Sequence, residues 1–417
     1  MGGHVPDLSE QPRVVFANPF APEHRPDPYP IFNQVREYDP VHRAVDGTWV
    51  ISRWAAGNAV LRDPRFSSNP AWLQGEAARA AANSPIRQVG TNVMMFLDPP
   101  DHTRLRGLVS KAFSPRVVEG LRSRVQELVD GLLDGAAERG RMDVVSDLAY
   151  PLPVSVICEL LGVPGGDHEQ FRVWSSDASR LLDGPDIEPE AQTRGVVAGM
   201  QLFQYFTDLV EERRARLGDD LLSRLIAAEE EGDRLTHAEL ITTATLLFVA
   251  GHETTMNLIG NAVLALLRHP DELARLRQQP ELVRSAVEEV LRWDPVVQFT
   301  ARIATEDVDV DGRTIGAGQQ VVVIIGAANR DPEQFPDEPD RFDIGRQDNR
   351  HLTFSAGPHY CLGASLARIE AQTAIGTLVR RFPDLHLLTS SPTYRQHQVL
   401  RGVEALEVGF SPVPAAR

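Results

Sequence analysis

The sequence predicts a mainly α-helical protein with small β-sheets at its periphery. Three observations carry this. From about Pro115 onward, stretches such as PRVVEGLRSRVQELVDGLLDGAAERG repeat apolar residues at three and four spacings, the period of an amphipathic helix. Strand-like stretches are short and few: TWVISR, VDVDGRTI and QQVVVIIGA, with Asp311-Gly312 as a hairpin turn signal. The composition, 42% hydrophobic and 24% charged over 417 residues, is that of a large globular chain.

In chain order, the proline-rich opening NPFAPEHRPDPYPIF reads as extended and turn-filled, so order is expected to begin near Asn18. Residues 1–17 form an expected flexible segment, and 18–417 a single catalytic domain. Residues 67–97 and 183–195, with Pro, Gly, Asn and Ser and weak periodicity, are expected long loops. A helix starts after Pro100 in LDPPDHTRLRGLVSKAF, and Pro115 suits a first-turn position. Cys158, in the apolar run VSVICELLG, reads as core packing.

The segment LTHAELITTATLLFVAGHETTMNLIGNAVLALLRHP opens on Thr236 and Glu239 in capping-box spacing and closes at Arg268-His269-Pro270. About 30 residues of helix span roughly 45 Å, and its apolar residues on nearly every side imply burial. Its middle, Ala250-Gly251-His252-Glu253-Thr254-Thr255, breaks that rule. A mid-helix glycine costs about 1 kcal/mol against alanine, and a buried carboxylate carries a desolvation penalty. A kink stabilised by Thr254 is one account, with Glu253 in a salt bridge. A ligand-approach point with a proton relay is the other.

Composition excludes several classes. Two cysteines are too few for a disulfide framework. No signal peptide and no run of about 18 apolar residues is visible, which predicts a cytoplasmic protein without a membrane anchor. A net charge of −16 argues against nucleic acid as a partner.

Three further patterns invite chemistry. Glu289 and Arg292 stand three apart on a helix, which alone is an ordinary ion pair. His102 and Arg106 share a helix face and suit a ligand with carboxylates, or else a solvated surface. Cys361, in FSAGPHYCLGASLARIE, precedes a strong helix pattern, so helix N–H groups and the dipole favour its thiolate. Zinc would want more Cys or His ligands at short spacing. A nucleophile with His359 as base would need a geometry that residues two apart rarely reach. A single axial thiolate to haem iron needs one cysteine only.

FSAGPHYCLG resembles the haem-binding loop of the cytochrome P450 superfamily through Phe354, Gly357, His359, Cys361 and Gly363, with Ser355 where glycine is more usual. AGHETT (250–255), Glu289 with Arg292, DHTRLR (101–106) and AANRDPEQFPDEPDRFD (327–343) extend the resemblance over most of the chain, in the family's order. It implies the cytochrome P450 fold, a triangular helical prism around a buried haem b. It also implies that Cys361 is the iron ligand, that His102, Arg106, Arg302 and His359 bind the haem propionates, and that Phe354 and Gly363 complete the loop. Ala250 and Gly251 would lie over the distal face, and Glu253 and Thr254 would deliver protons. Glu289 and Arg292 would be joined by a third residue, for which Arg341 is expected ahead of Arg346.

The activity so implied is a monooxygenase that inserts one atom of O2 into an apolar small molecule, by hydroxylation or epoxidation, in secondary metabolism. Electrons would come from NAD(P)H through a separate reductase and an iron–sulfur ferredoxin, which would meet Arg104, Lys111, Arg116, Arg350 and Arg368 near Cys361. A monomer is expected. Analogy builds the substrate wall from Met94, Met95, Phe96, Leu246, Leu247, Val297 and Phe299. The alternatives are a peroxide-driven or non-oxygenating haem-thiolate enzyme, or a non-catalytic haem-binding sensor.

Overall fold

The computed structural model describes residues 19–75, 93–111, 113–164, 168–184, 187–230 and 235–412. The expected segment 1–17 and residues 76–92 of the 67–97 loop lie outside them. Helices dominate, as the periodicity predicts, and the described helices include none long and apolar enough to cross a membrane.

The axis of the molecule is the central helix, His237–Arg268, whose 32 residues span about 48 Å at about 1.5 Å per residue. Its start is fixed by the anticipated capping box: Thr236 Oγ1 accepts from the Glu239 N–H, and Glu239 Oε2 accepts from the Thr236 N–H at 2.8 Å. Arg104 reaches Glu239 from the helix Asp101–Ser110 and ties the two elements together at 2.5 Å. Around the central helix pack Pro151–Leu161, Pro189–Arg214, Val283–Trp293 and Ala364–Arg381. Cys158 lies in the shared core, 2% exposed, as its apolar context predicts.

The sheets are small. Strands β1 (Val41–Arg43), β2 (Trp49–Ile51), β3 (Phe66–Ser67), β5 (Phe299–Ala304) and β8 (Gln320–Ile324) form one sheet in the order β1-β2-β8-β5-β3. Only the β2–β8 pairing is parallel. A separate core of Ile51, Val60, Val321, Val323 and their neighbours holds this sheet on the helix Trp54–Arg62. β4 (Arg141–Asp143), β9 (His386–Leu387) and β10 (Glu407–Gly409) form a second sheet. β6 (Val308–Val310) and β7 (Arg313–Ile315) make the predicted hairpin, with Asp311 and Gly312 at φ of 46° and 76°. Two positive φ values match a two-residue turn whose twist suits the strands.

The Glu289–Arg292 pair is fully buried, both side chains at 0% exposure. The guanidinium forks onto the carboxylate with two 2.8 Å bonds, and its other N–H groups reach the carbonyls of Asn329, Pro339 and Arg341. Arg341 contributes only that carbonyl, because its own side chain turns outward to Glu338. The third residue is Arg346, whose Nε lies 3.3 Å from Glu289 and whose Nη groups bind the carbonyls of Asp337 and Glu338. The choice follows from the chain's path: a turn after Phe342 brings residues 343–349 back over Glu289, which also accepts from Asp343 N and Asn349 Nδ2.

Candidate active site

The cysteine loop is built by three local devices. Gly357, at φ 67°, sits so close to the helix Trp54–Arg62 that an added Cβ would lie 2.5 Å from the Leu61 carbonyl. A short 3-10 turn (Gly357–His359) follows, the Cys361 N–H donates to the Phe354 carbonyl at 2.8 Å, and the helix Ala364–Arg381 begins after Gly363. Burial among protein atoms pushes the Cys361 thiol up, against the pull of the Gly363 and Ala364 N–H groups and of Arg106 and Arg368. Yet the residue itself has an open surface, so it borders interior space. Gly363 borders it too, since a Cβ there would meet nothing within 4 Å. Phe354 is buried at the base of the loop, with the Arg368 guanidinium 4.5 Å above its ring.

Ser355 carries the loop's only strain among the described residues, a left-handed φ of 62°, and its buried Oγ has no partner there. A non-glycine residue in this region costs about 1–2 kcal/mol. Ser355→Gly is therefore expected to stabilise the protein by about 1 kcal/mol in denaturant unfolding, with the visible spectrum unchanged.

Four basic side chains from three distant segments converge beside the loop. The His102 and His359 rings are 4.1 Å apart, and Arg106 donates to the Tyr360 carbonyl at 2.5 Å. Burial, then His102, Arg302 and Arg106, drive the His359 pKa down to about 3. Burial brings that of Arg302 down to about 10. Asp98, the acidic group that most affects Arg302, is already occupied by Ser67 and by the Ser68 N–H. Arg302 is a buried cation whose nearest carboxylate is already occupied, and uncompensated buried charge is costly, so the cluster suits an anion such as a pair of carboxylates.

Mid-way along the central helix one stripe is left open. Ala250 is exposed, and Leu246 and Thr254, four residues to either side, are partly so, as are Thr245, Val249 and Gly251, while Leu247, Phe248, His252 and Glu253 are buried. Thr254 Oγ1 donates back to the Ala250 carbonyl at 3.0 Å. Glu253 leaves the helix on another side and is 2% exposed. Its carboxylate meets Arg395 Nη1 at 3.1 Å and Ser175 Oγ at 3.3 Å. Buried His252 donates from Nδ1 to the Phe248 carbonyl and its Nε2 meets Ser175 Oγ, each at 2.8 Å, and burial lowers its pKa. Glu253 thus has the salt bridge and Thr254 the back-bond of the first account, and an open face remains at Ala250. Gly251 serves packing, because its missing Cβ would press on Ile157 at 3.0 Å.

These residues fit haem. A thiol at a helix start borders open space with a side-chain-free glycine, beside four basic groups matched to two propionates. A family model described as Cytochrome P450 matches residues 73–402. The chain belongs to the cytochrome P450 family. Cytochrome P450 107B1 of Saccharopolyspora erythraea is 44% identical over 97% of this chain and 98% of its own. Cytochrome P450 monooxygenase PikC of Streptomyces venezuelae is 45% identical over 92% and 91%. Among solved structures, P450BioI in complex with hexadec-9Z-enoic acid ligated acyl carrier protein superposes with a TM-score of 0.86 at 40% identity, covering 93% of this chain and all of that one. The protein is thus a haem-thiolate monooxygenase of the cytochrome P450 fold, working with haem, O2, redox partners and an apolar substrate.

In this cytochrome P450 the expected substrate wall is only partly assembled. Leu246 and Met95 have open surface, and Phe96 is partly open. Met94 and Leu247 are buried in the main core instead. The Phe299 ring lies 4.3 Å from that of Phe20, tilted by 48°, and strand alternation turns it away from the face that carries Arg302. Val297 bridges to Leu400. The expected basic patch is also reduced: Arg104, Arg350 and Arg368 are each held by carboxylates. Lys111 and Arg116 remain exposed. Arg395 and Ser175, which hold Glu253, carry no motif and lie 142 and 78 residues from it. No sequence pattern could have singled them out.

Proposed function

We propose that this monooxygenase hydroxylates or epoxidises an apolar small molecule of secondary metabolism, with Cys361 as the iron ligand and Glu253 and Thr254 as its proton relay. The observation that carries the reading is the open surface of Ala250 and Thr254 in the middle of a mostly buried helix, with a buried carboxylate one residue from Thr254. Bound haem would supply oxygen activation. His102, Arg106, Arg302 and His359 would hold its propionates by charge-assisted hydrogen bonds, and Ala250 would leave room beside it. The Thr254 hydroxyl keeps its hydrogen on the Ala250 carbonyl, so its oxygen is free to accept from a water held in the cavity. Glu253, after taking up a proton from solvent, passes it to that water by side-chain rotation or through one further water.

The chain acts as one catalytic domain, 18–417, and as a monomer. Electrons come from NAD(P)H through a reductase and an acidic ferredoxin that docks near Cys361 on Lys111 and Arg116. The test of the relay is Thr254→Ala, in holoenzyme with its partners and a substrate found by a spin-state screen. NAD(P)H consumption is expected to continue, with product per electron pair falling about a hundredfold, the low end of a general acid–base contribution, and peroxide rising to match. Unchanged coupling would remove Thr254 from the relay.

A further inference from the structure

A small cleft lies between the N-terminal strap, residues 19–32, and the C-terminal segment 394–402. Its lining includes the basic side chains His24, Arg25, Arg395, His397 and Arg401, and no aspartate or glutamate. Three of these are balanced from behind. Arg395 holds Glu253, Arg401 Nε binds Asp294 at 2.6 Å, and His397 Nδ1 lies 3.4 Å from Asp183. Arg25 forms no ion pair among the described residues. Arg401 also donates to the carbonyls of Arg25 and Pro26, which fixes the strap over the segment.

Three polar atoms of this one lining are buried with no hydrogen-bond partner among the described residues: His24 Nε2, Arg25 Nε and Gln298 Oε1. Gln298 is 4% exposed, so it belongs to the interior. Each buried polar group left unpaired costs about 1–3 kcal/mol. Three in one cleft point to an occupant. The free volume of about 30 Å³ takes two water-sized groups, at about 10–15 Å³ each, which is the size of a carboxylate's two oxygens. One arginine and one histidine against a single obligate acceptor give an excess of donors, and Arg25 supplies a positive charge without an ion-pair partner among the described residues. Beyond them Phe20 and Phe32 line the same cleft with apolar surface.

We propose that this cleft is a binding site for a small aliphatic carboxylate, its head on Arg25 and His24 and its tail along Phe20 and Phe32. The site is separate from the cysteine loop. It touches the catalytic machinery through Arg395, where a bound anion competes with Glu253 for the guanidinium; this link alone rests on the relay reading.

The test is calorimetric titration of the haem-loaded protein with butyrate at constant ionic strength, with chloride as control and the haem spectrum followed in parallel. Wild type is expected to bind one butyrate saturably with no spectral shift, and Arg25→Ala to bind it at least tenfold more weakly. Arg25→Lys is expected to retain binding within a few-fold. Both variants should keep wild-type turnover when no carboxylate is added. The proposal fails if no saturable heat appears, if Arg25→Ala binds as tightly as wild type, if chloride gives the same response, or if binding tracks a shift in the haem spectrum. Saturable binding with unchanged peroxide yield would remove the Arg395 link and leave the site standing.

Discussion

Replacing Cys361 by alanine is expected to abolish turnover while leaving the fold intact. The residue closes the loop through its backbone, by the N–H bond to the Phe354 carbonyl, and alanine keeps that bond. Its side chain instead borders interior space, and the neighbouring Gly363 needs no packing partner. The thiolate's donation to iron is what favours O–O cleavage in this class. Its loss is expected to lower product formation by about three orders of magnitude or more, roughly 4 kcal/mol in the barrier. Two measurements check this: product formation, and the spectrum of the reduced, carbon monoxide-bound protein. The variant should lack the strongly red-shifted band of thiolate ligation and keep a wild-type far-UV circular dichroism spectrum. Persistence of the red-shifted band in Cys361→Ala would falsify the ligand assignment. The four propionate-binding groups lie outside this substitution, so haem uptake should weaken without disappearing.

Arg292→Ala is expected to cost the most in stability. Arg292 is among the largest fully buried side chains of the molecule, and it hydrogen-bonds to Glu289 and to three carbonyls of the 329–341 stretch. Removing one partner of a buried pair leaves the other charge unpaired, at about 3–5 kcal/mol. Here the partner is also gripped by Arg346 and Asn349, which retain part of its compensation, so the lower half of that range is expected for Glu289 itself. The orphaned carbonyls of Asn329, Pro339 and Arg341 add to it. Chemical denaturation of the apoprotein, together with haem retention, measures the loss. Lysine should not rescue the variant, because an ammonium cannot make the two-pronged contact while reaching three carbonyls. Arg341→Ala is the matched control. Its side chain is exposed and pairs only with exposed Glu338, and surface pairs contribute about 0–1 kcal/mol. Equal losses in Arg292→Ala and Arg341→Ala would overturn the assignment of the buried pair.

The same contrast explains how far the sequence could be read. The helices, the hairpin at Asp311-Gly312, the capping box at Thr236 and the cysteine at a helix start all follow from residues within one or two turns of each other. Periodicity, caps and turn chemistry are local, and they were legible for that reason. The thiolate loop and the basic residues at 102, 106, 302 and 359 were legible as motifs, and the structure brings them together. The wall residues were not. Met94 and Met95 are adjacent, yet one is buried at 6% and the other is 39% exposed. Leu246 and Leu247 divide in the same way between the open stripe and the core. Which neighbour faces the cavity depends on where the surrounding helices press, and no local rule carries that.

By itself, then, the sequence determined the fold class and, through its resemblance to the cytochrome P450 superfamily, the haem-thiolate chemistry and the expected basic anchors. The helices rest on local periodicity, and the chemistry on an ordered set of motifs along the chain. Only the tertiary structure decided that Arg346 and not Arg341 braces Glu289, that Gly251 serves the contact with Ile157, and that Glu253 is held by Arg395 from the far end of the chain. Each of those choices was made between side chains of equal chemical fitness. What separated them was long-range packing: a buried carboxylate takes the guanidinium that the backbone brings within about 3–4 Å, since an unpaired charge in the interior is too costly to leave.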